Sequence, residues 1–289
     1  MKMRDDFCIF ILTHGRPDKV LTYNSLIRKG YDGKIYIVID NEDKKADEYK
    51  AKFKGQVLQF DKSKLASETD EGDNFAHRKA IVYARNACWE LAEQVGCRYF
   101  CQLDDDYPSW FLRFNSKLDY VSGSVNKHIT EMFNELLEFY MKSNATAIAI
   151  SQGGDHMGGA GLDKGQHKLK LSRKCMNSWF CDTTKPFRFF GHMNEDVSAY
   201  VTYGHRGHLF LTVHHAMLVQ MPTQVTAGGM SDLYLSAGTY QKSFYTVMAA
   251  PSCVQIGTMG DPRTDAARIH HKINWERAVP KILEEKWKK

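Results

Sequence analysis

Three aspartates stand side by side at Asp104, Asp105 and Asp106, directly after the apolar run Tyr99-Phe100-Cys101-Gln102-Leu103. Adjacent carboxylates repel one another unless a cation sits among them. Two carboxylates separated by one residue can turn toward the same hard divalent ion, and oxygen-only ligation suits Mg2+ or Mn2+. A solvated acidic turn gives the same short pattern, so the neighbourhood decides between the two. The run ends an apolar strand, at the carboxyl edge where open α/β sheets bind ligands. Arg85, in Ala84-Arg85-Asn86, and Arg78, seven residues earlier on the same predicted helix face, would hold phosphate oxygens if they point at that edge. The turn Thr13-His14-Gly15-Arg16-Pro17 offers further donors at a helix start, where an anion is favoured.

Rigid elements must stand behind these groups. Phe7-Cys8-Ile9-Phe10-Ile11-Leu12 is a continuous apolar run, the pattern of a strand covered on both faces. Residues 34–39, 56–60, 99–103 and 145–150 read as strands too. A crossover helix is predicted over 19–28, closed by Gly30, and a longer one over 78–95, stopped by Gly96. A third helix is expected over 126–142. Strand, helix, strand at this spacing argues for an α/β chain with a parallel sheet and right-handed crossovers. Farther on, six glycines mark a loop over 152–165, residues 187–190 and 208–220 read as strands, and 195–203 and 232–249 as helices. The tail from Asn274 begins as a short helix and ends in a basic cluster.

The 289 residues are 43% hydrophobic and 25% charged with a net charge of +5, which excludes collagen, coiled coil and wholesale disorder. No apolar run reaches bilayer length and the start is too polar for a signal peptide, so a cytoplasmic protein without membrane contact is expected. Seven cysteines without scaffold spacing read as reduced, buried thiols, and none has zinc-finger or ribbon spacing. The chain carries no internal repeat and no linker, hence one domain over 1–289: a first half at about 7–110, a second half at about 111–275 and a basic tail at 276–289.

The order of these pieces resembles the nucleotide-binding half of GT-A glycosyltransferases, and more closely the TET-associated glycosyltransferases of phages, relatives of the kinetoplastid base J glucosyltransferase. The residues carrying the resemblance are Ile11-Leu12-Thr13-His14-Gly15-Arg16-Pro17, Ile37-Val38-Ile39-Asp40, Tyr83-Ala84-Arg85-Asn86, Leu103-Asp104-Asp105-Asp106 and Asn194-Glu195-Asp196. The resemblance implies a Rossmann-like mixed sheet, mostly parallel and flanked by helices, with an acceptor-side extension. It implies a UDP-sugar donor, UDP-glucose or a close relative, a Mn2+ or Mg2+ ion, and a hydroxymethylated pyrimidine in DNA, 5-hydroxymethylcytosine first, as acceptor. Carried over, Thr13, His14, Gly15 and Arg16 border the nucleotide with Arg78, Arg85 and Asn86. Asp40 bonds the uracil or ribose, and Asp105 lies near the ribose or sugar. Asp104 and Asp106 hold the metal, with His271 or His270 as a third ligand and His214 and His215 behind them. Asp196, or else Glu195, takes the acceptor proton in an inverting transfer. Without the resemblance, that acid pair reads as carboxylates stabilised by a helix N-terminus.

DNA requires a grip on phosphates. Lys164, Lys168, Lys170, Arg173 and Lys174 flank the glycine-rich loop, and Trp179, Trp110 and Tyr107 offer stacking surfaces. The alternatives are a charged edge strand and core aromatics. Three other functions fit part of the pattern: a glycosyltransferase for a polysaccharide, protein or small molecule, a non-catalytic nucleotide-binding module, and a nucleotidyltransferase. The last is disfavoured because the first turn lacks a Lys-containing glycine-rich phosphate loop.

Overall fold

The alternation of Phe7–Leu12 (β1) sends Phe7, Ile9 and Ile11 to one face of a sheet and Cys8, Phe10 and Leu12 to the other, and all six side chains are buried. The computed structural model describes residues 2–73, 78, 80–117, 119–153, 169–170, 172–173, 175–221, 241–260 and 268–280. After β1 come α1 (Leu21–Arg28), β2 (Lys34–Asp40), α2 (Ala46–Phe53), β3 (Val57–Phe60), α3 (Lys62–Glu68), α4 (Val82–Gln94) and β4 (Tyr99–Asp104). Then follow β5 (Ser109–Phe114), β6 (Tyr120–Ser124), α5 (Ile129–Ser143), β7 (Ala147–Gln152), β8 (Leu169–Lys170), β9 (Ser178–Asp182), α6 (Glu195–Gly204) and β10 (Phe210–Val219). Among the described residues the chain closes with α7 (Gln241–Ala249), β11 (Val254–Met259), β12 (Arg268–Ile273) and α8 (Trp275–Ala278).

The ten-stranded sheet runs β3-β2-β1-β4-β9-β7-β10-β5-β6, with β8 also paired to β10. The first four are mutually parallel, as the strand-helix-strand spacing predicts, and β7 and β10 are parallel to each other. Three strands, β9, β5 and β8, run against the rest, so the sheet is mixed but mostly of one direction. One apolar layer joins α1, α2 and α5 to one face, and a second joins α3, α4 and α6 to the other. Burying both faces of a strand is what permits six apolar residues in a row. A separate two-stranded ribbon, β11-β12, stands beside α6 and α7.

Two expected elements differ. Residues 187–190 form no strand: the N–H of Phe189 donates to the Asn86 side chain at 2.9 Å and its carbonyl accepts from the same amide at 2.9 Å. One asparagine thus supplies the partners a neighbouring strand would have supplied. The helix expected from residue 78 begins at Val82, which leaves Arg78 outside it. All seven cysteines are free and buried. Among the described residues no helix is long and apolar enough to cross a membrane.

Candidate active site

The three aspartates diverge at the end of β4, where Asp104 is the last strand residue and Asp105 and Asp106 lie in the turn that follows. Asp104, on the face of Gln102, accepts from Arg85 Nη2 at 3.1 Å. Asp105 points the other way and is 1% exposed; Arg16 grips it with two bonds of 2.7 Å and the Thr13 hydroxyl donates to it at 2.5 Å. The Thr13 proton being used there, Tyr49 donates to Thr13 at 3.0 Å, and Tyr49 in turn accepts the Arg16 N–H at 2.9 Å. Gly15, at φ +71, turns its N–H onto Asp43 at 2.8 Å. The donors of the first turn are therefore engaged within the protein, which corrects the expectation of an open anion site there. Asp105 is a buried anchor for that turn, not a group available to a ribose or sugar.

Asp106 is different. Gln220 donates to its Oδ2 at 3.3 Å, while Oδ1 is buried with no hydrogen-bond partner. Burial and the charges of Asp104 and Asp105 push its carboxyl up to about 7. An orphaned carboxylate oxygen beside a second carboxylate fits a hard divalent cation, so Asp106 and Asp104 are the pair that would hold one. Among the described residues no cluster of three His, Cys, Asp or Glu side chains forms a cage.

Arg85 joins this rim to the acid-bearing helix. Its side chain is 2% exposed, and Nε donates to Glu195 at 2.8 Å while Nη2 reaches Asp104. Burial and Asp196 raise the Glu195 carboxyl, against the pull of Arg85. Asp196 is half-buried, and its Oδ1 accepts the N–H of Val197 at 2.7 Å. Asn194, in the left-handed region at φ 54, sets the entry to α6. Its amide donates to the Lys242 carbonyl at 2.8 Å and approaches His271 Nδ1 at 3.3 Å.

Other expected residues have other surroundings. Arg78 is exposed and meets Glu42 at 3.4 Å, so it does not share a helix face with Arg85. Asn86 holds the 189 backbone and Thr69. His14 donates to Asp40 at 2.7 Å, which raises the imidazole; burial opposes ionisation of Asp40, but His14 and Lys62 outweigh it and hold that carboxyl low. His271 is buried against Asn194 with the His270 ring 4.1 Å away, at the entry of α6. His214 is buried in β10, and His215 of the same strand lies edge-on to Phe114. Trp179, Trp110 and Tyr107 are fully buried, which corrects their reading as stacking surfaces: Trp179 packs among Phe187, Phe189 and Phe210 in the core. Arg173 is half-buried, and burial lowers its pKa. The backbone of Lys170 lies in β8, whereas Lys164, Lys168 and Lys174 fall outside the described residues.

Two features escaped sequence reasoning. Gln220 accepts from Asn177 and Gln152 on its carbonyl oxygen, which fixes its amide N–H toward Asp106. His192 is buried between Asp73 at 2.8 Å and Tyr83 at 3.0 Å, with Glu71 bonded to Tyr83, and so ties residues 71–73 to the approach to α6. The acidic stretch from Glu68 to Asp73 was the available signal for the second; a lone glutamine gives none for the first.

Among solved structures the chain is similar to glucosyl-3-phosphoglycerate synthase from Mycobacterium tuberculosis in complex with Mn2+, UDP and phosphoglyceric acid. Identity is 9%, with 93% of this chain and 87% of that chain covered at a TM-score of 0.46. Mannosyl-3-phosphoglycerate synthase from Rubrobacter xylanophilus gives 10% identity, 92% and 86% coverage and a TM-score of 0.42. Comparison with curated protein sequences gives no match. The family model described as TET-Associated Glycosyltransferase matches residues 7–229, a span that holds both the aspartate rim and the Glu195-Asp196 pair. The chain belongs to the TET-associated glycosyltransferase family and is a glycosyltransferase.

Proposed function

We propose that the protein transfers a sugar, glucose first, from a UDP-sugar to the hydroxyl of a hydroxymethylated pyrimidine in DNA, 5-hydroxymethylcytosine first, with inversion. The observation that carries this reading is the Arg85 bridge, which places the helix-opening acids Glu195 and Asp196 beside the Asp104–Asp106 rim. In a single displacement the acceptor oxygen attacks the anomeric carbon as the bond to the diphosphate breaks, and UDP leaves with the electron pair. Asp196 takes the hydroxyl proton. Glu195, occupied by Arg85, keeps that guanidinium beside the rim and leaves the proton to its neighbour. Asp104 and Asp106 would hold Mn2+ or Mg2+, which supplies positive charge at the leaving diphosphate when bound. Thr13, Arg16 and the His14-Asp40 pair border the nucleotide, and His271 remains the candidate third ligand.

The test is direct. The protein, Mn2+ and UDP-glucose are incubated with duplex containing 5-hydroxymethylcytosine, and the digested nucleosides are weighed. A hexose added to hydroxymethylcytidine is expected. Asp196→Asn should abolish the product while UDP affinity stays near wild type. An unmodified nucleoside, with transfer instead to a polysaccharide, protein or small-molecule hydroxyl, would reassign the acceptor.

A further inference from the structure

The strands run β3-β2-β1-β4, so the chain steps outward from β1 through β2 to β3 and returns to the opposite side of β1 as β4. Open α/β sheets bind ligands across the carboxyl ends at such a reversal. Asp104 and Asp106 stand on its β4 side. Beyond β4 the next strand, β9, is antiparallel and turns its amino end to that edge. A nucleotide held by its diphosphate at Asp104 and Asp106 thus lies over the ends of β1 and β2, which carry His14, Asp40 and Asp43.

Of these three only the histidine reaches outward. Its side chain is 43% exposed, against 6% for Asp40 and 1% for Asp43. Both oxygens of Asp40 are engaged: Oδ2 lies 2.7 Å from His14 Nδ1, and Oδ1 accepts the Glu42 N–H at 3.0 Å with Lys62 Nζ 3.5 Å away. Asp43 accepts the N–H groups of Gly15 and Lys45 at 2.8 Å each. A carboxylate only accepts, so the Asp40 bond places a proton on Nδ1 and leaves Nε2 of the neutral ring as an acceptor. Among the described residues Nε2 has no hydrogen-bond partner. Uracil carries a ring N–H at N3 and guanine at N1, where cytosine and adenine carry lone pairs. An acceptor facing that edge takes the N–H of the first two bases and is left unpaired by the other two.

We propose that His14 selects the base of the donor nucleotide, Nε2 accepting the ring N–H of uracil or guanine, with Asp40 as the positioning residue that fixes the tautomer. This rests on the nucleotide-sugar reading above and deepens it. Asp40 then acts through the imidazole and does not itself touch the base. The selection is sensitive to protonation. The Asp40 bond raises the His14 pKa against burial, Asp43 adds to the rise and Lys62 opposes it. Once the ring is protonated Nε2 donates, so it meets the lone pair of cytosine and no longer favours the N–H of uracil. Discrimination is therefore full above the folded pKa and fades as pH falls through it.

The experiment is calorimetry of UDP, CDP, GDP and ADP in Mn2+ at pH 8.0 and pH 5.5, with full-length wild type, His14→Ala, Asp40→Asn and the control His128→Asn, an exposed histidine bonded to Glu131. Far-UV circular dichroism verifies that each variant is folded. Ratios between nucleotides are read, because proton uptake by the diphosphate and by the aspartate rim is common to all four. At pH 8.0 wild type should bind UDP on the order of tenfold more tightly than CDP, and GDP more tightly than ADP. At pH 5.5 the UDP-to-CDP preference should fall toward one. His14→Ala should show no preference at either pH, Asp40→Asn a smaller one at pH 8.0, and His128→Asn the wild-type pattern. A preference that survives His14→Ala, or one equal at both pH values in wild type, would overturn the assignment while leaving UDP as donor. GDP bound more tightly than UDP, with the His14 dependence intact, would instead replace the uridine donor and keep the assignment. Failure of all four nucleotides to bind would sink both.

Discussion

Replacing Arg85 by methionine tests the link on which the site depends. The guanidinium is 2% exposed and meets Glu195 at 2.8 Å and Asp104 at 3.1 Å, so Arg85→Met leaves two carboxylates facing each other without their shared cation. Breaking a buried ion pair by removing one partner costs about 3–5 kcal/mol. Glu195 has an escape, because burial and Asp196 already raise its pKa and the arginine is what pulls it down. In the variant that carboxyl stays protonated on folding, and a carboxyl whose pKa rises on folding costs stability progressively as pH climbs above its unfolded value, here 4.5. The expected loss is therefore about 3 kcal/mol at pH 5.5, growing toward about 5 kcal/mol at pH 8.5. At roughly 2–4 °C per kcal/mol for a chain of this size, Tm falls by about 10 °C. Urea unfolding followed by far-UV circular dichroism at the two pH values reads both numbers. The double variant Arg85→Met/Glu195→Gln removes one stranded charge and should recover about 1–3 kcal/mol. A single-variant loss below about 1 kcal/mol, or one that does not grow with pH, would refute the bridge.

Asp106→Asn should raise apo-protein stability at pH 8 by about 1–2 kcal/mol, because a carboxyl held near 7 is ionised there at a cost, while calorimetry should show Mn2+-dependent UDP binding lost. Gly204→Ala should cost about 1–3 kcal/mol in urea unfolding, since its Cβ would collide with the backbone oxygen of Ala278, which has no side-chain freedom to retreat. The hydrogen bond to Asp40 raises the His14 pKa, so this pair stabilises fully below the unfolded histidine value of 6.5 and loses that contribution as pH rises through the folded value. NMR titration of the His14 ring should place it above 6.5 and return it toward 6.5 in Asp40→Asn.

The strands of the first half were readable because each is buried on both faces, which leaves a run of apolar residues that few other structures require. β1 matches its expected bounds, and β4 continues one residue farther, into Asp104. β9 was not readable: Ser178-Trp179-Phe180-Cys181-Asp182 is only five residues long, and its tryptophan in a basic neighbourhood looked like a ligand surface. Its burial follows from a strand inserted antiparallel between β4 and β7, a tertiary fact without a local signal. The β11-β12 ribbon went unread because its strands are short and half of its residues face water, which leaves no continuous apolar run. Within the site, residue types announced charge but not partners. Arg85 and Arg16 both looked like phosphate ligands, and both have carboxylates of the protein itself as their first partners.

The charges nevertheless explain why a run of three aspartates is tolerable. Asp104 and Asp105 leave the strand on opposite faces, and each finds an arginine: Arg85 for Asp104, shared with Glu195, and Arg16 for Asp105. Five carboxylates, those of Asp104, Asp105, Asp106, Glu195 and the half-buried Asp196, thus stand against two guanidiniums in a region largely shielded from water. Protonation can offset part of that excess, and burial raises the carboxyls of Asp105 and Asp106, the latter up to about 7. A divalent cation supplies two positive charges at once, and Asp106, whose Oδ1 has no protein partner, is where it would be held. Mn2+ should therefore release protons on binding and do so less in Asp106→Asn, a count that calorimetry in buffers of different ionisation enthalpy can make. Proton release undiminished in that variant would show that the ion sits elsewhere.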